Sequence, residues 1–581
     1  MPFATLRLFA TAVAPRPQTH YNRAIPMDSR STENLIYRAP IAGTVRAPRT
    51  FPPPGGATLA SFVLFVSLGA LLGIVYMGSE WMSLSQGFGF PTDLAWVRVV
   101  FARSLATGHG LAFSSGPPVA GVAAPSWIAS LGFFGFLSGD FILTAKVLGV
   151  LSVILAALLA WAIVLRLVED WRSAFLAGLL VVISPLLGAQ ALGGTEGPFA
   201  GMLVLAVIYW QTVGWEGPRW SRAVSAFAIA LGALARPELF LLLPLAFLDR
   251  WLVAALHARP GRQAQTAILR SVPEAAGAVL IMLPYALHNL RFGGFWQRPE
   301  VALRALPPLA WSKAVLAVLW ANSPAVLVLA VLGLVVAAMS AARARTDHPS
   351  FLPVALPAAL LLLPGFLWPD MSGEAAATAA GYLTPLVVVL GVAGLMVPYR
   401  FFQRMAEAAS TRGARLAFAG LIGLFVIALC GFTAWGHRAA WRQYGDHIKR
   451  IADLQVALGE WAAQHLPPDA SIASREVGAL GYFSGKRMID LGGTTSPKGM
   501  AYLRRSGAFD SNLLAFMQEV QPSHLVIRGG DIPDLARRPD IVAPVITRTD
   551  VDRITGGSTT LTLYETMWKP ASIRAVEAVE P

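Results

Sequence analysis

Residues 57–77 and 173–192 contain no charged side chain. A run of about 20 apolar residues is what a helix needs to cross the hydrocarbon core of a bilayer, where each backbone N–H and C=O must find its partner inside the helix. Comparable runs recur at 141–167, 199–213, 223–235, 239–256, 272–290, 323–340, 351–368, 375–397 and 416–435. Together they predict a mainly α chain with about eleven membrane-spanning helices. Two of the runs, 199–213 and 223–235, are short. The run 127–137 is too short to span alone and reads as a juxtamembrane or re-entrant piece; were it to span, the parity of the count would change.

Charged residues make up only 14% of the chain, against about 25% in a soluble globular protein. The formal charge of +13 does not point to nucleic acid, because the arginines cluster beside hydrophobic segments and not on one soluble face. Cys430, the single cysteine, lies inside an apolar run, so no intrachain disulfide can form. Residues 1–56 are rich in proline and arginine and read as a disordered tail, with Met27 as an alternative start. The apolar stretch within residues 1–15 is too weak for a cleaved signal peptide.

Arginine placement orients the bundle. With the N-terminus inside, the inner side receives Arg166 and Arg172, Arg219 and Arg222, Arg259 and Arg262, Arg343 and Arg345, and Arg400 and Arg404. This is the bias of cytoplasmic loops. It leaves the C-terminal region outside, together with two long outer loops at 78–140 and 291–322. Long loops in a compact protein are usually functional. From residue 444 the pattern changes. An amphipathic helix at 453–465 precedes short strands at 471–474, 487–490, 524–527 and 559–564, with helical patterns between them. The chain therefore divides into a tail (1–56), a membrane domain (57–443) and a soluble α/β domain (444–581).

Several charged residues fall on the outer side. They are Asp93, Glu196 within Gly193-Gly194-Thr195-Glu196-Gly197-Pro198, Arg236 and Glu238 around Pro237, Arg291, Asp370 and Glu374. They come from separate loops that share one face, as in a site built on a rigid helical scaffold. Each also has a bland reading. Asp93 precedes the helical pattern Leu94, Val97, Phe101, Leu105 and would serve as a helix cap. Glu196 would be turn chemistry, Arg236 and Glu238 a structural pair, and His109 a turn residue or a metal or phosphate ligand. The sequence contains no P-loop, Gly-x-Ser-x-Gly, dinucleotide fingerprint or metal-ligand cluster. Read this way, the residues give an outward-facing polar site and leave the reaction open.

At these positions the chain resembles the GT-C superfamily of polyprenyl-phosphate-sugar-dependent glycosyltransferases, nearest to the branch of mycobacterial terminal arabinofuranosyltransferases and their bacterial relatives. The likeness rests on the order of Asp93-Leu94-Ala95 with Arg98 and Arg103, Gly108-His109-Gly110, Pro125-Ser126-Trp127, the Gly193–Pro198 turn, Ala235-Arg236-Pro237-Glu238, Arg291-Phe292-Gly293 and Tyr382-Leu383-Thr384-Pro385. His465-Leu466-Pro467-Pro468 and Gly478-Ala479-Leu480-Gly481-Tyr482 extend it into the soluble domain. The family's acidic pair is reduced here to Asp93 after Thr92, its Pro-Asn-Thr is replaced by Gln297-Arg298-Pro299, and Pro117-Pro118-Val119-Ala120 stands where it has acidic residues.

The resemblance implies an inverting transfer from a polyprenyl-phosphate sugar, pentose or hexose, to a cell-envelope glycan or lipid acceptor. Asp93 would be the general base. Arg236, then Arg291 and Arg98, would hold the donor phosphate. Glu196, Glu238, His109, Trp127 and Asp370 would contact sugar or acceptor. A divalent cation (Mg, Mn or Ca) on Asp93 and Glu196 stays open, weakened by the lost acidic residue. A bacterial cytoplasmic membrane is the implied location. A transporter or flippase of a lipid-linked sugar, and a non-catalytic envelope-assembly scaffold, are the competing readings.

Overall fold

The computed structural model describes residues 55–568, except 84–88, 115, 214–218, 258–261, 294–307, 343–349, 368–372, 409–411, 494, 496–501, 503–508, 530–532 and 552–557. Residues 1–54 of the expected tail and Asp370 lie outside the described residues, while Gly55 and Gly56 open the first helix.

The first helices are α1 (Gly55–Ser83), α2 (Asp93–Ala106), α3 (Pro125–Ser138), α4 (Phe141–Val168), α5 (Trp171–Val182), α6 (Pro185–Leu192), α7 (Gly197–Val213) and α8 (Arg219–Ala235). A 3-10 turn (Pro237–Leu241) leads into α9 (Leu242–His257), α10 (Arg262–Arg291), α11 (Pro308–Asn322), α12 (Pro324–Ala342), α13 (Leu352–Leu362) and α14 (Pro364–Leu367). Then come α15 (Gly373–Ala408), α16 (Arg412–Ile451), a π-helical turn (Ala452–Val456) and α17 (Ala457–His465).

Each apolar run of the sequence falls on these helices. Among the described residues, four are long and apolar enough to cross a membrane: Gly56–Trp81, Phe141–Val168, Ala375–Phe401 and Leu416–His465. Two bent pairs raise the number to six. The run 173–192 is broken at Ser184-Pro185, where the serine caps α6 and the proline opens it, with a bend of 46°. The helices α11 and α12 meet at 118° before Pro324. The loop expectation for 291–322 is thus corrected over its second half, which is helical. Its Trp311, Val315 and Leu319 recur every four positions, a helical spacing, and all three are buried. The first outer loop likewise contains α2 and α3.

Helix α15 is the axis of the bundle, with 89% of its apolar window buried. Glycines allow this. A Cβ on Gly333 would collide with the backbone of Leu390, and one on Gly394 with the Leu329 carbonyl, so α12 and α15 touch through backbone. Small residues at helix contacts serve this role in membranes, where water does not drive packing. Helix α16 is the opposite case, with only 11% of its window buried. Leu416, Leu424, Ile427 and Trp435 face outward as lipid-facing side chains do.

Beyond α17, the chain forms β1 (Ser471–Ser474), α18 (Gly478–Ser484), β2 (Arg487–Asp490), α19 (Phe509–Val520), β3 (His524–Arg528), α20 (Pro533–Ala536), β4 (Val542–Val551) and β5 (Ser558–Thr566). Among the described residues, the sheet has five strands in the order β2-β1-β3-β5-β4. The first three are parallel, with Ala473 opposite Ile489 on one side and Leu525 on the other; β5 pairs antiparallel with β3 and β4. The strand β4 was not expected. Its bulge between Pro544 and Ile546 interrupts the alternation that betrays a strand. One hydrophobic core joins the sheet to the first loop: Trp96, Phe101, Val122 and Trp127 pack in the same cluster as Leu458, Ile472, Leu480 and Leu563.

Candidate functional site

The turn between α6 and α7 places Glu196 at the head of α7, where its carbonyl accepts from Ala200 N. Gly194 has φ +73°, and Phe90 occupies the space its Cβ would need. Pro237 favours an extended residue before it, and Arg236 sits at φ −151°, ψ 145°. These two turns, together with the middle of α2, bring four of the expected residues into one buried chain. Arg98 Nη2 donates to Glu196 Oε1 at 3.3 Å, Arg236 Nη1 to the same oxygen at 2.8 Å, and Arg236 Nε to Glu238 Oε1 at 3.0 Å. All four side chains are at most 3% exposed. Burial alone would push the Glu196 carboxyl up, but the Arg98 and Arg236 guanidiniums together hold it below its ordinary value.

A cavity of about 340 Å³ opens beside this chain. Arg98 and Glu196 line it, with Thr92, Gln190, Thr378, Tyr444 and His447 among the other walls. Its walls thus come from the first loop, the α6–α7 turn, the start of α15 and the upper half of α16. Arg236 and Glu238 are not among its lining residues and stand behind Glu196.

Asp93 is the first residue of α2 and half-buried. The cap of α2 is Thr92, whose hydroxyl accepts from Ala95 N at 3.4 Å, so the capping expected of Asp93 is corrected. Asp93 instead caps α18 across the domain contact. Its Oδ2 accepts from Val477 N at 3.1 Å, and its Oδ1 from Gly478 N at 2.8 Å and Ala479 N at 3.3 Å. Its neighbours Thr92 and Leu94 line the cavity.

The remaining expected residues are elsewhere. Trp127 is fully buried, donating from Nε1 to Gly194 O at 3.2 Å and packing on Phe199. It braces the glycine turn. His109 is exposed at the far end of α2, with Nδ1 2.9 Å from the Thr107 hydroxyl. Arg291 is exposed at the end of α10, its guanidinium 5.6 Å from the Phe292 ring. Neither lines the cavity.

A second buried cluster escaped sequence reasoning. Lys146 Nζ donates to Glu80 Oε1 at 2.7 Å, Gly89 O at 2.7 Å and Leu192 O at 2.9 Å, and lies 3.0 Å from Tyr444 Oη. It ties α1, α4, α6 and α16 together. One lysine inside the otherwise apolar start of α4 was the signal that could have found it. His447 and Tyr444 were missed because the span was ended at Trp435, whereas α16 runs on to Ile451.

The Asp93 and Glu196 carboxylates, the two groups expected to hold a cation, already have partners within the protein. Here Glu196 Oε1 receives two guanidinium bonds and the Asp93 carboxylate three backbone N–H bonds. Among the described residues, no group of three or more His, Cys, Asp or Glu gathers at one place.

With this geometry in hand, comparison places the fold. A family model described as a domain of unknown function, DUF8728, matches residues 443–574. No curated protein matches the sequence. Among solved structures, ArnT from Cupriavidus metallidurans in the apo state aligns over 87% of this chain and 98% of its own, at 14% identity and TM-score 0.54. The archaeal oligosaccharyltransferase AglB from Archaeoglobus fulgidus, in complex with an inhibitory peptide and a dolichol-phosphate, aligns over 87% and 75%, at 12% identity and TM-score 0.53. Arabinofuranosyltransferase AftD from Mycobacteria aligns over 86% and 40%, at 18% identity and TM-score 0.45. The chain therefore shares the fold of ArnT and AglB. It is a membrane-embedded helical bundle carrying a small C-terminal sheet.

Proposed function

We propose that the chain is a membrane glycosyltransferase. It moves a pentose or hexose from a polyprenyl-phosphate donor to a cell-envelope glycan or lipid, with inversion, on the outer face of a bacterial cytoplasmic membrane. The observation that carries this reading is the Arg98–Glu196–Arg236–Glu238 chain buried in the wall of the 340 Å³ cavity. A buried charge row among apolar helices is expensive unless it has work to do. The fold shared with ArnT and AglB adds to it, as does the dolichol-phosphate in the complex of AglB. Arginine placement supports a cytoplasmic N-terminus and a periplasmic sheet domain.

In this reading the donor's lipid tail lies against the bundle and its phosphate enters the cavity beside Arg98. Arg98 takes the first role at the phosphate, because it lines the cavity while Arg236 acts through Glu196. A fixed cation there stabilises the charge that grows on the leaving phosphate. Asp93, whose neighbours Thr92 and Leu94 line the cavity, takes the proton of the acceptor hydroxyl. The freed oxygen bonds to the anomeric carbon from the face opposite the phosphate. The C1–O bond breaks, and its electron pair departs with the polyprenyl phosphate. Glu196 holds Arg98 in place and orients sugar hydroxyls.

The test uses purified protein in lipid nanodiscs with a panel of radiolabelled polyprenyl-phosphate pentoses and hexoses and crude envelope glycan. Label moving from one donor to glycan is the expected result. Label that stays on lipid with every donor would overturn the transferase reading. Transbilayer movement of intact donor in vesicles, without release, would replace it with a flippase.

A further inference from the structure

We infer that the sheet domain completes the catalytic apparatus, with the head of α18 acting as the positioning element for the Asp93 carboxylate. This rests on the transferase reading above. Both carboxylate oxygens are held by main-chain donors of one short segment, Val477 to Ala479, at 2.8 to 3.3 Å. Two anchored oxygens fix the plane of the carboxylate as well as its place. A base at the first residue of a helix would otherwise turn about its own side chain. Proton abstraction demands a set direction within hydrogen-bond reach of the acceptor hydroxyl.

The approach is built for this contact. A Cβ on Gly478 would collide with the carbonyl oxygen of Asp93, lie 2.8 Å from its Oδ1 and lie 2.9 Å from Trp96 Cβ. Only glycine lets α18 come this near. The far end of the same helix is gripped as well. Arg103 donates to Tyr482 O, and its guanidinium lies 4.3 Å from the Tyr482 ring centre. Trp96, between the two ends, packs on Tyr482 and Phe483 with ring centres 5.2 Å away in both cases. Asp93 and Arg103, ten positions apart on α2, therefore meet opposite ends of α18. The hydrophobic core shared by Trp96 and Leu480 fixes the distance between them. Acceptor proton transfer in the membrane domain thus depends on backbone donors that belong to the soluble one.

Two variants and a control test the inference in the full-length protein. Gly478→Ala forces α18 away from Asp93. The expected result is a fall in kcat of about 10²-fold, the scale of a misplacement near 1 Å, with the donor KM unchanged. Ala479→Pro deletes one of the three donors at a first-turn position where proline is tolerated, and is expected to lower kcat less, again at constant KM. Phe516→Ala opens a cavity in a separate core of the sheet domain and is the control, expected to lower the unfolding temperature while kcat stays within threefold of wild type, by about 0.6 kcal/mol in the barrier. If kcat tracks unfolding temperature equally in all three, α18 is only a structural dock and the inference is overturned. Full kcat in Gly478→Ala or Ala479→Pro overturns it too. A wild type that transfers from no donor removes the transferase reading itself, and this inference with it.

Discussion

Two clusters of buried charge lie near each other in this bundle and do different things. In the first, Glu80, Lys146 and Tyr444 satisfy one another and two backbone carbonyls, and the ion pair is at most 1% exposed. In the second, Arg98, Glu196, Arg236 and Glu238 run in a row whose first two members line a cavity of about 340 Å³. The first cluster reaches the cavity only through Tyr444 and its ion pair staples helices, whereas the second sets Arg98 and Glu196 in the cavity wall and presents charge to a ligand. The difference lies in what covers each cluster, since the residue types are nearly the same.

The largest expected effect breaks the staple. Lys146→Met leaves Glu80 buried without its counter-ion and is expected to destabilise the protein by about 3–5 kcal/mol, measured by thermal unfolding in detergent. Pairing it with Glu80→Gln should restore at least half. If the single variant unfolds like wild type, the cluster is no staple.

Next comes the open row. Arg98→Gln is expected to lower transfer by about 10²–10³-fold, the effect of removing one preorganised donor to a developing charge. Its unfolding temperature should move far less than that of Lys146→Met. A larger loss of stability than of transfer would make the two clusters alike.

A smaller effect follows from Glu196. Its folded carboxyl is held below the ordinary value. Its ionised form therefore contributes stability above the unfolded value, and that contribution is lost as pH falls through and below the ordinary carboxylate range. Glu196→Gln should flatten the acid limb of an unfolding-temperature series from pH 7 to pH 3. An unchanged acid limb would mean the arginines are not its partners in solution. Smallest are Arg291→Ala and His109→Ala, exposed and away from the cavity, each expected to change kcat/KM by about twofold or less, the range of surface substitutions.

The comparison also explains what the sequence could reveal. The open row was legible because Glu196, Arg236 and Glu238 sit in Gly- or Pro-marked turns between apolar runs, where a charge stands out. The closed cluster was not, because Lys146 lies within a span and Glu80 just beyond one, and nothing local pairs residues 66 positions apart. Asp93 was picked out, but its partners were not, since three backbone amides leave no trace in residue type. The first three strands and β5 were readable as short runs with apolar residues lying between helical patterns, while β4 was hidden by its bulge. Helix α11 was read as loop because it is brief and follows a proline- and arginine-rich stretch.

The most direct test of the account compares wild type with Asp93→Asn on whichever polyprenyl-phosphate donor supports transfer. Asparagine keeps the shape and one acceptor oxygen but cannot take a proton. The account predicts that release of sugar falls by about 10²–10⁴-fold, the contribution of a general base, while donor binding persists. Equal release by the two proteins would contradict it and leave Asp93 as a domain dock alone.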